Sequence, residues 1–229
     1  MQTMCNRYQS PSAEEIAAHW ALNRAQPWPG GGVYPRSPGP FIRPDRTRQD
    51  GSAGALQGSA ALELVTGQWG LIPWFAKTPK LPYSTNNARS EELASKASYK
   101  APWARGQRCI IPAWSFDEPC WETGRNVWWR FSRADGKPWG LAGVWNTWVD
   151  PATGEVCESF TMLTLNADHH PIMSRMHKPD PKCPPDQQDK RSVIAIADED
   201  IETWLFAPIE SARALLKAPA VDAIEAVSV

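Results

Sequence analysis

The chain has no run of eighteen apolar residues, and no basic stretch leading into an apolar one at its N-terminus. The first absence argues against a helical membrane span, the second against a secretory signal. It has no CxxC pair. Its five cysteines, Cys5, Cys109, Cys120, Cys157 and Cys183, are odd in number and scattered. That pattern argues against a disulfide framework and against a zinc site, so a reducing, cytoplasmic setting with no metal and no cofactor is expected. No internal repeat is found. The net charge is only −1, so overall charge predicts no polyanion partner. The halves differ, however: residues 1–110 hold 13 basic and 7 acidic side chains, and residues 111–229 hold 11 and 18. A basic half can form one positive face, or it can simply be solvated.

Two residue types are abundant. The 13 tryptophans suit cores and interfaces, and also platforms on which bases stack. The 22 prolines imply many turns and a strand-rich chain. Pro11-Ser12 with Glu14 and Glu15 opens a helix over 11–26, with Ile16, His19, Trp20 and Leu22 on its apolar face. His19 reads as packing. Strands are expected at 62–65, 68–75, 108–113, 127–131, 139–149, 159–165 and 192–197, and helices at 90–97, 198–206 and 209–217. Asp135-Gly136 signals a hairpin between the fourth and fifth of those strands. Residues 44–60 and 178–191 read as flexible loops. The expectation is an α+β fold: one compact domain over 4–217, with a curved, barrel-like, mostly antiparallel sheet and a few peripheral helices.

Cys5 directly follows Met4. If Met4 is the start, or if residues 1–3 are a leader that is lost, removal of one methionine leaves Cys5 first. Its amine and thiol would then form a 1,2-aminothiol, which condenses with an aldehyde to a five-membered thiazolidine. In model peptides both groups titrate near neutrality, at ~7.7–8.0 and ~8.5. The competing reading is a buried cysteine in a first strand.

Four segments carry reactive side chains: Cys5-Asn6-Arg7-Tyr8; Asn87-Ala88-Arg89-Ser90-Glu91; Arg108 to Ala113 followed by Glu118; and Thr164 to Ala167 followed by three histidines and Arg175. With Trp69-Gly70-Leu71-Ile72-Pro73 and Ala142-Gly143-Val144-Trp145, their order resembles the SRAP family, the SOS response-associated peptidases, from Met4 to about Ala207. The resemblance implies a β-barrel-like α+β domain that binds single-stranded DNA as a monomer and crosslinks to abasic sites through Cys5 in the DNA damage response. It implies that Asn87 hydrogen-bonds the linkage and that Glu118 moves protons. Arg7, Arg89 and Arg175 would hold phosphates, and Trp74 would stack on or wedge against a base.

The sequence departs from the family pattern in three places. Three residues precede Met4. The family's His-x-Arg-Met-Pro motif is broken: an ungapped count from Thr164 puts Arg175 at the histidine position and His177 at the arginine position, leaving His177 or His170 as the catalytic candidate. Tyr34-Pro35 and Glu118-Pro119 replace an asparagine-containing turn and a Glu-Trp pair. Two other readings compete. One is a cysteine hydrolase in which His177 or His170 serves Cys5 as a base. The other is a non-catalytic single-strand binder.

Overall fold

The computed structural model describes residues 5–46 and 61–229. The expected leader and most of the expected 44–60 loop lie outside those residues. In chain order the elements are β1 (Tyr8–Ser10), α1 (Ala13–Trp20), β2 (Arg24–Ala25), β3 (Gly31–Val33), β4 (Pro38–Pro44), β5 (Leu62–Trp69) and β6 (Asn87–Arg89). Then come α2 (Ala97–Ala104), β7 (Arg108–Ala113), β8 (Ser115–Cys120), β9 (Val127–Arg133), β10 (Trp139–Val149) and β11 (Val156–Asn166). The chain finishes with β12 (Arg191–Val193), β13 (Ala195–Ile196), α3 (Ile201–Phe206), α4 (Ile209–Ala214) and β14 (Ile224–Ser228).

Five strands close into a ring in the order β5, β4, β7, β10, β11 and back to β5. Four of its contacts are antiparallel. The fifth, β11 to β5, is parallel and pairs Ser159 with Gln68 and Phe160 with Trp69. Successive side chains on a strand point to opposite faces, and both faces of this ring are covered. Phe41, Val65, Cys109, Ile111, Leu141 and Met162 belong to one core. Their neighbours Ile42, Leu64, Ile110, Ala142 and Leu163 belong to a second core, with Ile16 and Trp20 of α1 and Trp204 of α3. This double burial is why Cys109–Ala113 reads as an unbroken apolar run. A separate antiparallel sheet, β14-β9-β8-β1-β3, shares the first core through Tyr8, Phe116 and Phe131. The architecture is therefore α+β with a barrel-like ring and few helices.

Several expectations are corrected by tertiary pairing. The first helix does form, with Ser12 and Glu15 closing a reciprocal cap, but it ends at Trp20 on a left-handed Ala21. Arg24 and Ala25, expected within it, instead pair with β5. The strands expected at 62–65 and 68–75 are one strand to Trp69. Its internal Gly67 is no break: a Cβ there would stand 2.7 Å from the carbonyl oxygen of Glu158, where β11 passes. Of the helix expected at 90–97, only a 3-10 turn at Ser90–Glu92 forms directly after β6, and the α-helix starts at Ala97. Asp135-Gly136 does turn, but the strands on either side pair into different sheets. The domain continues past 217, since β14 pairs with β9. Residues 178–190 form no helix or strand, yet the Gln188 side chain ties them together through Asp180, Cys183 and Pro184.

Candidate active site

The Asp117 amide donates to the Arg7 carbonyl (3.1 Å), continuing the β1–β8 pairing toward the N-terminus and laying Cys5 along the later half of β8. Cys5 is wholly buried. Its backbone amide faces the Glu118 carboxylate and favours that group's charged form. Its carbonyl accepts from Asn87 Nδ2 at 2.8 Å, and its thiol donates to the Arg7 carbonyl at 3.5 Å. Asn87 comes from a short strand laid beside the ring: β6 lies parallel to β11, and Tyr99 Oη donates to the Asn87 carbonyl at 3.3 Å.

His177 reaches the same place from the C-terminal half. Met176 bridges to Cys120, and the His177 amide donates to the Pro119 carbonyl at 2.6 Å, so this segment runs back along the end of β8. The His177 backbone is left-handed, at φ 63°. Its Nε2 lies 2.9 Å from Glu118 Oε2, and both side chains are only 2% exposed. The four residues expected to do chemistry at one point, Cys5, Asn87, Glu118 and His177, are thus brought together.

Burial pushes the Glu118 carboxyl above its ordinary value, against the opposing charge and hydrogen bond of His177. Burial also pushes the Cys5 thiol well up, and the charge of Glu118 adds to that. The site therefore holds a protonated thiol next to a carboxyl that binds a proton more readily than a free one. Asn87 Oδ1 and His177 Nδ1 are buried with no hydrogen-bond partner among the described residues. The Glu118 carboxyl can act as an acid at the Cys5 nitrogen or its carbonyl neighbours, while Asn87 Nδ2 fixes the Cys5 carbonyl. Among the described residues no group of three or more His, Cys, Asp or Glu side chains could hold a metal, and no helix is long and apolar enough to cross a membrane.

The other expected residues are placed as follows. His170 is not at the site: its Nε2 meets the Pro219 carbonyl at 2.9 Å and its Nδ1 accepts from the amides of Ile172 and Met173, so it shapes a turn. His19, expected only to pack, lies 3.2 Å from Asp198. Arg7 Nε lies 3.0 Å from Asp117, and Arg89 pairs with Asp189. Arg175 forms a two-pronged pair with Glu122 at 2.7 Å and lies over the Trp129 ring. Trp74 is 70% exposed, edge-on to Phe75. An open cleft of about 410 Å³ lies beside His177, lined also by Trp121, Arg175, Gln188 and Lys190. Sequence reasoning missed Asp117 and Lys190. Asp117 adjoins Glu118 and could have been suspected from that; nothing in the sequence marks Lys190.

A model of the family described as SOS response associated peptidase (SRAP) matches residues 4–229. A Gallus gallus protein named "Abasic site processing protein HMCES" is 28% identical over 206 residues, 79% of this chain and 55% of that one. "Abasic site processing protein YobE" of Bacillus subtilis is 32% identical over 141 residues, 60% of this chain and 56% of that one. The chain spans about half the length of these relatives. A solved structure of a Bordetella bronchiseptica protein superposes with a TM-score of 0.82 at 33% identity, covering 98% of this chain and 99% of that one. One from Bacteroides thetaiotaomicron, at 20% identity and a TM-score of 0.73, covers 98% of this chain and 92% of that one and shares the fold.

Proposed function

The chain belongs to the SOS response associated peptidase family, and from that premise we propose that it captures abasic sites in single-stranded DNA as a covalent thiazolidine on Cys5. One observation supports the reading above the others: buried Cys5, its carbonyl held by Asn87 at 2.8 Å, turns its backbone nitrogen toward the Glu118 carboxyl, which is itself 2.9 Å from His177. Relatives bearing the name abasic site processing protein give the substrate class.

Once the residues ahead of Cys5 are gone, its nitrogen is a primary amine. It attacks the C1′ aldehyde of the opened sugar, and a C–N bond forms. Glu118 protonates the resulting hydroxyl, which leaves as water, and a protonated imine and the Glu118 carboxylate remain. The thiol adds to the imine carbon: a C–S bond forms, the thiol proton returns to the Glu118 carboxylate, and the C=N electron pair becomes the lone pair of the ring N–H. The net change is loss of one water, with no oxidant or reductant.

The same acid serves removal of the leader. The Cys5 thiol adds to the Met4 carbonyl carbon, the C–N bond breaks, Glu118 protonates the departing nitrogen and takes the thiol proton in its place, and water hydrolyses the thioester to a Met4 carboxylate and the free thiol. Arg7, Arg89 and Arg175 would exchange their carboxylate partners for phosphates. Trp74 offers a stacking face worth about 1–3 kcal/mol per base.

The hydrolase reading is less well supported. A thiol raised by burial is a poor nucleophile toward external amides, and its hydrogen bond goes to the Arg7 carbonyl rather than to a histidine. The test is processed protein with a single strand carrying one abasic site. Wild type should give a heat-stable adduct and Cys5→Ser none, because oxygen closes on an imine far less favourably than sulfur. An equally stable adduct from Cys5→Ser would sink the thiazolidine.

A further inference from the structure

His177 holds a backbone conformation that a side chain with a Cβ seldom takes, and something must keep it there. On one side its amide is bound by Pro119. On the other stands Lys190, only 5% exposed, whose Nζ donates to the Met176 carbonyl at 2.7 Å and to the His177 carbonyl at 2.6 Å. Lys190 is itself anchored: its amide donates to Asp168 Oδ1 at 2.7 Å, and its carbonyl accepts from Ala167 at 2.6 Å. A buried ammonium is costly unless its donors are used, and both of its recorded acceptors are backbone oxygens on either side of the His177 amide–Cα unit.

We propose that Lys190 is a positioning residue: it clamps the left-handed His177 so that the imidazole meets Glu118. The chemistry this serves rests on the reaction proposed above, but the clamp can be tested without DNA. Glu118 faces the Cys5 thiol and amide from the lead into β1 and His177 from the returning segment, while Asp117, on the opposite face of the same strand, acts on it only through its charge. Arg7 and Arg130 are taken up by Asp117. His177 lowers the Glu118 pKa, so a displaced imidazole should let that carboxyl titrate higher.

The experiment is a ¹³C NMR titration of the Glu118 carboxyl in four folded proteins: wild type, Lys190→Met, His177→Asn and the double variant. Asparagine tolerates the left-handed backbone but cannot become a cation. Lys190→Met, which keeps the stem and loses the donors, should move the Glu118 titration upward in the same direction as His177→Asn. The double variant should match His177→Asn alone. That equality separates clamping from a direct field of the ammonium, which would act whether or not the imidazole is present. Adduct formation by Lys190→Met should fall by up to about 10²-fold, the cost of misplacing a catalytic group by an ångström. An unmoved Glu118 titration in Lys190→Met, or a double variant shifted beyond His177→Asn, overturns the clamp. If Lys190→Met does not fold, Lys190→Arg decides. With charge and donors kept it should titrate like wild type, and a shift as large as that of His177→Asn overturns the proposal. If no variant forms adducts and neither does wild type, it is the reaction that fails, while the titrations still judge the clamp.

Discussion

Asp117 and Glu118 are neighbours on β8, each 2% exposed, and their side chains leave the strand on opposite faces. Asp117 is given cations. Arg130 forks onto it at 3.0 and 3.2 Å, and Arg7 approaches to 3.0 Å. Glu118 is given an imidazole, a backbone N–H and a thiol, and its carboxyl is raised. Burial is equal, so burial alone does not make a carboxylate chemical. The difference lies in the partners. Asp117 is paired with two permanent cations, whereas the one basic side chain against Glu118 is an imidazole.

The largest effect that tests this contrast is Glu118→Gln, which keeps the shape and removes the proton. Adduct formation should slow by about 10²–10⁴, read by gel shift after denaturation with a pre-trimmed control. Fold stability should move the other way. A carboxyl whose folded pKa is raised binds a proton more readily in the folded state. The stability it contributes is therefore fully present below its unfolded pKa and is lost as pH rises through the folded one. Glu118→Gln should thus gain on wild type as pH climbs above about 4.5, the ordinary carboxyl value. Loss of stability at neutral pH with an unchanged adduct rate would reverse the assignment of the two acids.

Asp117→Asn should do the opposite, with a smaller effect. Its arginines are partly solvated and can find water, so the cost should be about 1.5–3 kcal/mol, the range for a hydrogen bond to a charged group. That corresponds to a Tm lower by roughly 3–12 °C for a chain of this size. The adduct rate at saturating DNA should stay within a few-fold of wild type. A Tm unchanged to within a degree would mean that the two arginines contribute nothing to the fold.

Much of this was legible before the structure. Cys109–Ala113 of β7 and Trp139–Trp145 of β10 are continuous apolar runs because both faces of the ring are covered, and such runs read plainly. Cys5, Asn87 and Glu118 stood out through the order of their motifs. The choice between His170 and His177 did not, because it depends on a left-handed residue and a bridge to Cys120, and neither has a local signal. β8 carries two acids and a proline, and β14 is a short, half-exposed segment; each is a strand because of the partner beside it. Lys190 sits in a run of charged residues that looks solvated in sequence. Its burial comes from two carbonyls that only the folded chain presents.

The ring has one further consequence, for the history of the chain rather than for its chemistry. Its last seam, β11 against β5, rests on two parallel residue pairs and on the Gly70 amide bonded to Phe160, contacts that join segments far apart in the sequence. The entropy of closing that loop is spent before the contacts return anything. The barrel should therefore zip through its antiparallel hairpins first and seal last. Until it seals, β5 and β11 show bare edges, the state in which a newly made chain is most open to pairing with another copy of itself. In pulsed hydrogen exchange during refolding, the Gly70 amide should gain protection after the amides between β10 and β11.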